Sequence, residues 1–310
     1  VACERQVELR GPDAGRLMQM LTPRDLRGMT PGQCFYVPIV DETGGMLNDP
    51  VAVKLAEDRW WVSIADSDLL YWVKGIANGW RMDVLVDEPD VSPLAIQGPK
   101  AEELMVRVFG ETIRNIRFFR FGVYQFQGRD LVIARSGYSK QGGFEIYLEG
   151  SELGMPLWRR LFEAGEDLNV RAGCPNLIER IEGGLLSYGN DMTDDNTPHE
   201  CGLGRFCNTH TAIGCIGRDA LLRVAKEGPV RQIRPIAIDG DPVPPCDRFW
   251  PVFASGKPVG RVSSAAWSPD FRTNVSIGMI RMTHWDAGTR LEVETPDGMR
   301  AATVREAFWL

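Results

Sequence analysis

The chain has 310 residues, of which 44% are hydrophobic and 25% charged, and its formal net charge is −7. This composition is ordinary for a soluble globular protein and excludes a disordered or fibrous chain. No segment is dense enough in lysine and arginine to build a basic face, which argues against a nucleic-acid partner. No apolar run approaches the roughly 18 residues that span a bilayer, so we expect a cytoplasmic protein without a membrane partner.

The cysteines and histidines follow no metal-binding pattern. The seven cysteines include no Cys-x-x-Cys pair, and the three histidines lie outside any HExxH context. An odd number of scattered thiols also argues against a disulfide framework. We therefore expect reduced thiols and no metal ion.

In chain order, the first part of the sequence mixes strands with helices. A strand is predicted around Val7 and Leu9, and Asp13 is expected to cap the short helix that follows. Later segments are assigned from apolar periodicity. The predicted strands are residues 34–40, 46–55, 60–65, 82–86 and 92–97, and the predicted helices run from about 66 to 77 and from 98 to 109. This mixture predicts an α+β region.

The second part of the chain changes character near residues 226–230. Helices are predicted near 153–164 and 174–186, and Gly183 and Gly184 would lie inside the second of them, close to another backbone or a ligand. From Val230 onward, short alternating segments are separated by Gly, Pro and Asp. They predict an all-β sandwich or barrel.

The segment of residues 133–147 places a tyrosine and a carboxylate at the two ends of a glycine-rich turn. Since apolar strands enter and leave this turn, Tyr138 and Glu145 can face one cavity. A heterocycle with an N–C–N edge, such as a pterin, needs a carboxylate to pair with that edge and an aromatic face to stack on. The alternative is an ordinary hairpin with a solvated Glu145.

Other candidate residues lie at strand or helix ends, where functional groups are often displayed. Asp49 precedes Pro50 within an apolar strand. It either binds a ligand nitrogen or makes a structural hydrogen bond to a neighbouring turn. Asn190 and Asp191 follow a helix, and a helix end with a polar turn is the simpler interpretation. Aromatic rings such as Phe118 suit a cation without hydrogen-bond donors, but most such rings are expected in the core.

Several motifs together resemble the glycine-cleavage aminomethyltransferase superfamily. They are NDP at 48–50, AIQGPKA at 95–101, RSGYSKQGGFEIY at 135–147, RIEGGLLSYGND at 180–191, TPHECGL at 197–203 and IGRDAL at 216–221. The resemblance implies an α+β, three-lobed cloverleaf fold of aminomethyltransferase type. Residues 1–228 would form the folate-binding region of two interleaved α+β lobes, and residues 229–310 a C-terminal β-barrel domain. It also implies tetrahydrofolate as methyl-accepting cosubstrate.

Within this superfamily, the details resemble the dimethylsulfoniopropionate demethylase family. The similar segments are ACERQVEL at 2–9, WWVSIADSD at 60–68 and GCPNLIERIE at 173–182. Classical aminomethyltransferases read GYTGEDG in the turn, where this chain has Lys140 and Gln141. The resemblance therefore implies a folate-dependent S-demethylase that yields methylmercaptopropionate and 5-methyltetrahydrofolate. It also implies a further segment upstream of residue 1.

The resemblance implies roles for individual side chains. Asp49 matches a catalytic aspartate beside folate N5 and N10, and Glu145 matches the glutamate that pairs with the pterin. The other implied folate contacts are Tyr138, Tyr147 and Ser67, and the implied contacts of the methyl donor are Tyr138, Phe118 and Tyr188.

Other functions stay open at this stage. The chain could be a glycine-cleavage aminomethyltransferase, which acts on glycine-derived aminomethyl groups carried by lipoyl protein, or a related folate-dependent N- or O-demethylase. The expected partner is a small-molecule substrate, either a sulfonium or a methylated amine. A third alternative is a non-catalytic folate-binding regulatory or iron–sulfur maintenance protein. Those proteins carry KGCYxGQE, where this chain has IGCIGRD at 213–219. A homodimer is compatible with the sequence.

Overall fold

The computed structural model describes residues 4–64 and 69–310, which form two compact units. The described residues of the first unit are those up to Ile39, those within Leu47–Cys174, and Ile213–Cys215. The second unit comprises Val40–Met46, Pro175–Ala212 and Ile216–Leu310. Both units are therefore assembled from separate parts of the chain.

Strands and helices cover most of the described residues. The strands are β1 (Arg5–Arg10), β2 (Gln33–Tyr36), β3 (Ile39–Val40), β4 (Met46–Asn48), β5 (Val51–Ala56), β6 (Arg59–Ile64), β7 (Leu85–Asp87), β8 (Val91–Gln97), β9 (Phe121–Phe126), β10 (Arg129–Ala134), β11 (Gly143–Glu149), β12 (Arg231–Ile238), β13 (Trp250–Ala254), β14 (Lys257–Ser268), β15 (Thr273–Arg281), β16 (Arg290–Thr295) and β17 (Gly298–Val304). The α-helices are α1 (Ala14–Leu21), α2 (Leu69–Gly79), α3 (Ala101–Phe109), α4 (Gly154–Ala164), α5 (Leu177–Glu182) and α6 (Arg218–Glu227). Short 3-10 helices cover Glu111–Asn115, Ser151–Leu153, Glu166–Leu168, Gly204–Phe206 and Met282–His284.

Two antiparallel sheets face each other in the first unit. Their strand orders are β2-β5-β6-β1-β7 and β8-β11-β10-β9. Side chains from both sheets share one buried cluster, in which Tyr147 of β11 packs against Trp61 of β6 with ring centroids 5.7 Å apart. Because alternate residues of a strand point to the same face, Glu145 lies on the face of β11 that carries Tyr147. The two sheets thus enclose the predicted site residue.

Helices α3 and α4 cover the opposite face of the four-stranded sheet. Ile146 of β11 packs there in one buried cluster with Met105 of α3 and Leu157 of α4. Burial of each such side chain contributes about 1.5–3 kcal/mol. The apolar alternation of β11 therefore fixes which face carries Glu145, since a one-residue slip would expose this cluster.

In the second unit, strands β12 to β17 form a closed barrel in the order β12-β15-β14-β13-β16-β17. The barrel closes because β12 pairs with both β15 and β17. Trp250 and Val252 of β13 are among the buried side chains that fill it. The predicted α+β class with a C-terminal barrel is confirmed, whereas the predicted boundary at residues 228 and 229 stays a prediction.

One helix is shorter than predicted. Helix α5 begins after Asn176, whose side chain accepts a hydrogen bond from the N–H of Ile178 at 2.9 Å, and it ends at Glu182. The prediction that Gly183 and Gly184 lie inside a helix is wrong, because they terminate it. Gly184 has φ +64°, a conformation that favours glycine after a helix.

The predicted cap of the first helix is also wrong in detail. Helix α1 begins after Asp13, but the carboxylate of Asp13 makes no capping hydrogen bond. It accepts instead a hydrogen bond from the N–H of Asp83 at 2.8 Å. The side chain therefore ties the start of α1 to the segment that leads into β7.

Candidate active site

Asp49 lies where the predicted return strand is interrupted. Strand β4 ends at Asn48 and β5 begins at Val51, since Pro50 has no N–H to donate to a neighbouring strand. The hydroxyl of Tyr36 donates a hydrogen bond to Oδ2 of Asp49 at 2.7 Å. Asp49 therefore makes a structural hydrogen bond, but to a side chain of β2 and not to a neighbouring turn, and its ligand contact stays a prediction.

The glycine-rich turn before Glu145 is held by Gln97, the last residue of β8. The side-chain amide of Gln97 donates to the carbonyl oxygens of Ser136 at 3.0 Å and Phe144 at 3.2 Å. Its Oε1 accepts a hydrogen bond from the hydroxyl of Ser139 at 2.7 Å. One side chain therefore fastens both ends of the turn to the end of β8.

Two glycines allow this close approach. A Cβ at Gly143 would lie 2.2 Å from the carbonyl oxygen of Ile96, and a Cβ at Gly137 would lie 2.0 Å from Oε1 of Gln97. Both separations are far below a normal contact, so a larger residue at Gly143 would push against the backbone of β8, and one at Gly137 would displace the side chain of Gln97. The glycine spacing that marks this segment in the sequence thus has a steric cause.

Glu145 is a buried carboxylate that forms no ion pair within residues 4–64 and 69–310. The residue is 8% exposed, and the hydroxyl of Ser136 donates a hydrogen bond to its Oε2. Burial, and then repulsion by the charge of Glu4, raise the pKa of Glu145 to about 7, while the Ser136 hydrogen bond opposes this rise. The alternative of a solvated Glu145 is wrong. A carboxylate in this setting favours a ligand that donates N–H groups to it.

Tyr147 and Cys34 lie in the same buried cluster. Burial is the main cause that raises the pKa of the Tyr147 hydroxyl well above its ordinary value, with further contributions from the charges of Glu145, Cys34 and Glu4. Burial also raises the pKa of the Cys34 thiol to about 12, and the charge of Glu145 is the second largest cause. Both groups are therefore neutral near pH 7.

The other predicted contacts are distributed over the two units. In the first unit, Tyr138 is half-buried in the turn, and Phe118 is exposed on the surface. In the second unit, the hydroxyl of Tyr188 donates a hydrogen bond to the carbonyl oxygen of Met46 at 3.0 Å. Ser67 lies outside the described residues. The ligand contacts of these four residues, and that of Tyr147, stay predictions.

Sequence reasoning missed three residues that hold the site. Gln97 and Ser136 lie within the AIQGPKA and RSGYSKQGGFEIY motifs, so membership of a motif was an available signal. Tyr36 offered no such signal, because an aromatic residue in an apolar strand usually belongs to the core.

Metal-ligand clusters and membrane-spanning helices are both absent from the described ranges. Residues 4–64 and 69–310 contain no group of three or more His, Cys, Asp or Glu side chains that could hold a metal ion. Within the same ranges, no helix combines the length and the apolar character needed to cross a bilayer.

The fold defines the class of protein. The crystal structure of the glycine cleavage system aminomethyltransferase T from Bartonella henselae matches with a TM-score of 0.86 and covers 100% of this chain and 85% of that chain. Because the sequence identity is 24%, this likeness establishes the fold alone. The predicted aminomethyltransferase type of fold is confirmed.

Sequence comparison then places the chain in a family. The GCVT N-terminal domain matches residues 1–211, and the glycine cleavage T-protein C-terminal barrel domain matches residues 231–309. The chain therefore belongs to the glycine cleavage T-protein family, as its motifs predicted.

Two curated relatives differ in their similarity to this chain. Dimethylsulfoniopropionate demethylase DmdA of Ruegeria pomeroyi is 63% identical over 309 residues, which cover 100% of this chain and 84% of the relative. An aminomethyltransferase of Caldanaerobacter subterraneus subsp. tengcongensis is 29% identical over 295 residues, which cover 93% of this chain and 78% of the relative. The predicted similarity to the demethylase is confirmed.

Proposed function

We propose that this protein is a cytoplasmic, tetrahydrofolate-dependent methyltransferase that demethylates dimethylsulfoniopropionate. Its products are methylmercaptopropionate and 5-methyltetrahydrofolate. The observation that carries the proposal is the 63% identity over 309 residues to the demethylase of Ruegeria pomeroyi. The identity to the aminomethyltransferase is less than half as high, which favours the demethylation over the glycine-cleavage reaction.

The surroundings of Glu145 fit a reduced folate. A carboxylate enclosed by two sheets, with the Ser136 hydroxyl as its hydrogen-bond donor, can accept two parallel N–H bonds from the amidine-like edge of a pterin. Tetrahydrofolate supplies N5 as the methyl acceptor when it is bound. Glu145 would orient the ring, and the folded sheets would keep water from the pterin edge.

Methyl transfer from a sulfonium requires little covalent participation by the protein, since the leaving group is a neutral thioether. The protein's main tasks are to align the donor with the acceptor nitrogen and to keep that nitrogen unprotonated. Asp49 is the residue to which we assign the second task. Its carboxylate is held by Tyr36 and can accept a proton or hydrogen bond from the folate.

Product analysis tests the activity directly. Purified protein is incubated with tetrahydrofolate and dimethylsulfoniopropionate, and the folate product is identified by mass. We expect 5-methyltetrahydrofolate. Formation of methylenetetrahydrofolate and ammonia from a glycine-derived aminomethyl donor, without demethylation, would identify an aminomethyltransferase. Folate binding without turnover of either donor would identify a non-catalytic protein.

The Asp49→Asn variant tests the catalytic assignment. We expect kcat at saturating folate to fall by about 100-fold, a typical loss when a group that manages a proton is removed. Asp270→Asn, which changes an exposed aspartate, serves as the matched control and should keep full activity. Full turnover by Asp49→Asn would remove Asp49 from the catalytic machinery.

A further inference from the structure

A second carboxylate, that of Glu4, lies near Glu145. Glu4 directly precedes β1, and its Oε2 accepts a hydrogen bond from the hydroxyl of Ser63 on β6 at 2.7 Å. The charge of Glu4 is the largest electrostatic influence on Glu145 and also acts on Tyr147. The N-terminal end of β1 thus brings an acidic group from the five-stranded sheet towards the buried cluster that contains Tyr147, on the face of β11 that also carries Glu145.

A further hydrogen-bond acceptor, the side-chain oxygen of Gln6, lies on the same face of β1 as Glu4. Gln6 follows Glu4 on the same face of β1, and its Nε2 donates to the hydroxyl of Ser63 at 3.1 Å. Its Oε1 is buried and has no hydrogen-bond partner among the described residues. Neither Glu4 nor Glu145 forms an ion pair with a lysine, arginine or histidine in that part of the chain. A ligand that binds here can therefore donate hydrogen bonds to Glu4, Gln6 and Glu145.

Two other titratable groups close to Glu145 carry no charge near pH 7, so they do not raise its pKa through a charge. Cys34 on β2 and Tyr147 on β11 are buried and neutral. Arg120, which precedes β9, interacts electrostatically with Cys34, and its Nη1 donates to the carbonyl oxygen of Phe119. Glu4 is therefore the charged group that most directly opposes ionisation of Glu145.

We propose that Glu4 is a specificity residue of the folate site: with Glu145 and the buried Oε1 of Gln6, it selects a ligand edge with several N–H donors. Repulsion between the two carboxylates then favours a protonated Glu145 until that edge binds. The inference rests on the proposed function. When the edge binds, Glu145 loses its O–H proton to the buffer, and its carboxylate accepts two N–H bonds in exchange. Folate binding near neutral pH is then coupled to proton release.

Calorimetric titration with 5-formyltetrahydrofolate tests both parts of the proposal. At pH 7, titration in phosphate and in Tris, whose ionisation enthalpies differ, gives the number of protons released. We expect about half a proton per folate for the unmodified protein, and clearly less for Glu4→Gln, in which Glu145 ionises more readily. At pH 8.5, where Glu145 is ionised in both proteins, Glu4→Gln should bind folate about tenfold more weakly.

Control variants separate this proposal from the proposed function. Glu292→Gln, an exposed change on β16, should match the unmodified protein in affinity and proton release. Unchanged affinity and proton release in Glu4→Gln, with normal folate binding by the unmodified protein, would overturn the role of Glu4 alone. Absence of folate binding by the unmodified protein would overturn the proposed function.

A second variant covers the case in which Glu4→Gln does not fold. Glu4→Asp keeps the carboxylate charge, but because aspartate is one methylene group shorter, the carboxylate lies farther from the ligand. It should retain proton release at pH 7 and lose affinity at pH 8.5. Affinity equal to that of the unmodified protein would overturn the direct contact between Glu4 and the ligand.

Discussion

At the residue scale, the pair of Tyr36 and Asp49 gives the proposed catalytic carboxylate a fixed orientation. A hydrogen bond from a neutral hydroxyl to a carboxylate holds the acceptor in place and stabilises its charge. Tyr36 is itself anchored, since Nη1 of Arg24 donates to its carbonyl oxygen at 2.6 Å. If Asp49 is catalytic as proposed, Tyr36 acts on the reaction through Asp49, as a positioning residue.

The Tyr36→Phe variant should lower kcat for demethylation by about tenfold, because the loss of one hydrogen bond to a charged group costs about 1.5–3 kcal/mol. The KM for folate should change little, and the melting temperature should fall by a few degrees because the folded state loses the same hydrogen bond. Tyr71→Phe, which alters an exposed tyrosine on α2, is the matched control. An unchanged kcat in Tyr36→Phe would show that Asp49 needs no orientation by this hydroxyl.

At the scale of elements, the glycine-rich turn between β10 and β11 depends on close packing against β8. Gly142 and Gly143 both have positive φ, at +76° and +146°. A Cβ at Gly142 would meet no atom within 4 Å, whereas one at Gly143 would meet the carbonyl oxygen of Ile96 at 2.2 Å. Alanine at Gly142 would therefore have a strained backbone without a collision, whereas alanine at Gly143 would have a strained backbone and also collide with β8.

Alanine at each glycine should therefore have unequal effects. Gly142→Ala should lower the free energy of unfolding by about 1 kcal/mol, which is the cost of left-handed backbone for a residue with a Cβ. Gly143→Ala should lower it by about 3 kcal/mol or more and weaken folate binding, because β11 must move away from β8. Urea denaturation and folate titration measure both effects. Equal losses in the two variants would contradict the steric argument.

At the scale of the whole molecule, the second unit is tied together by the buried carboxylate of Asp191. Asp191 is 1% exposed and accepts hydrogen bonds from Arg180 of α5 at 2.8 Å and from Ser263 and Ser264 of β14 at 2.6 Å each. A buried ion pair that loses one charge leaves the other uncompensated. This network joins α5 to the barrel.

The Asp191→Asn variant should lower the free energy of unfolding by about 3–5 kcal/mol, as expected when one partner of a buried ion pair is removed. Asp239→Asn breaks an exposed pair with Arg290 and should cost less than about 1 kcal/mol. Urea denaturation monitored by tryptophan fluorescence compares the two. A loss below 1 kcal/mol for Asp191→Asn would show that the network contributes little.

The hydrogen bonds of Asp191 show which features of the fold could be predicted from the sequence and which could not. Periodicity and turn residues correctly predicted the mixture of helices and strands and the β-rich C-terminal region, because these signals are local. Asp191 was interpreted as part of a polar turn, since its partners on β14 lie 72 and 73 residues away in sequence. Glu145 could be found from its motif and glycine spacing. Glu4 could not, because its relation to Glu145 arises only when the two sheets pack together.

Under the proposed function, the high pKa of the Cys34 thiol has a further consequence, because a sulfonium substrate is an alkylating agent. A thiolate attacks a sulfonium methyl group readily, so an ionised cysteine beside the ligand would compete with the intended acceptor and inactivate the catalyst by self-methylation. Burial between the sheets, together with the charge of Glu145, raises the pKa of Cys34 to about 12 and suppresses that nucleophile. The acidic residue that we assign to ligand recognition would thereby also limit methylation of the protein by such a substrate.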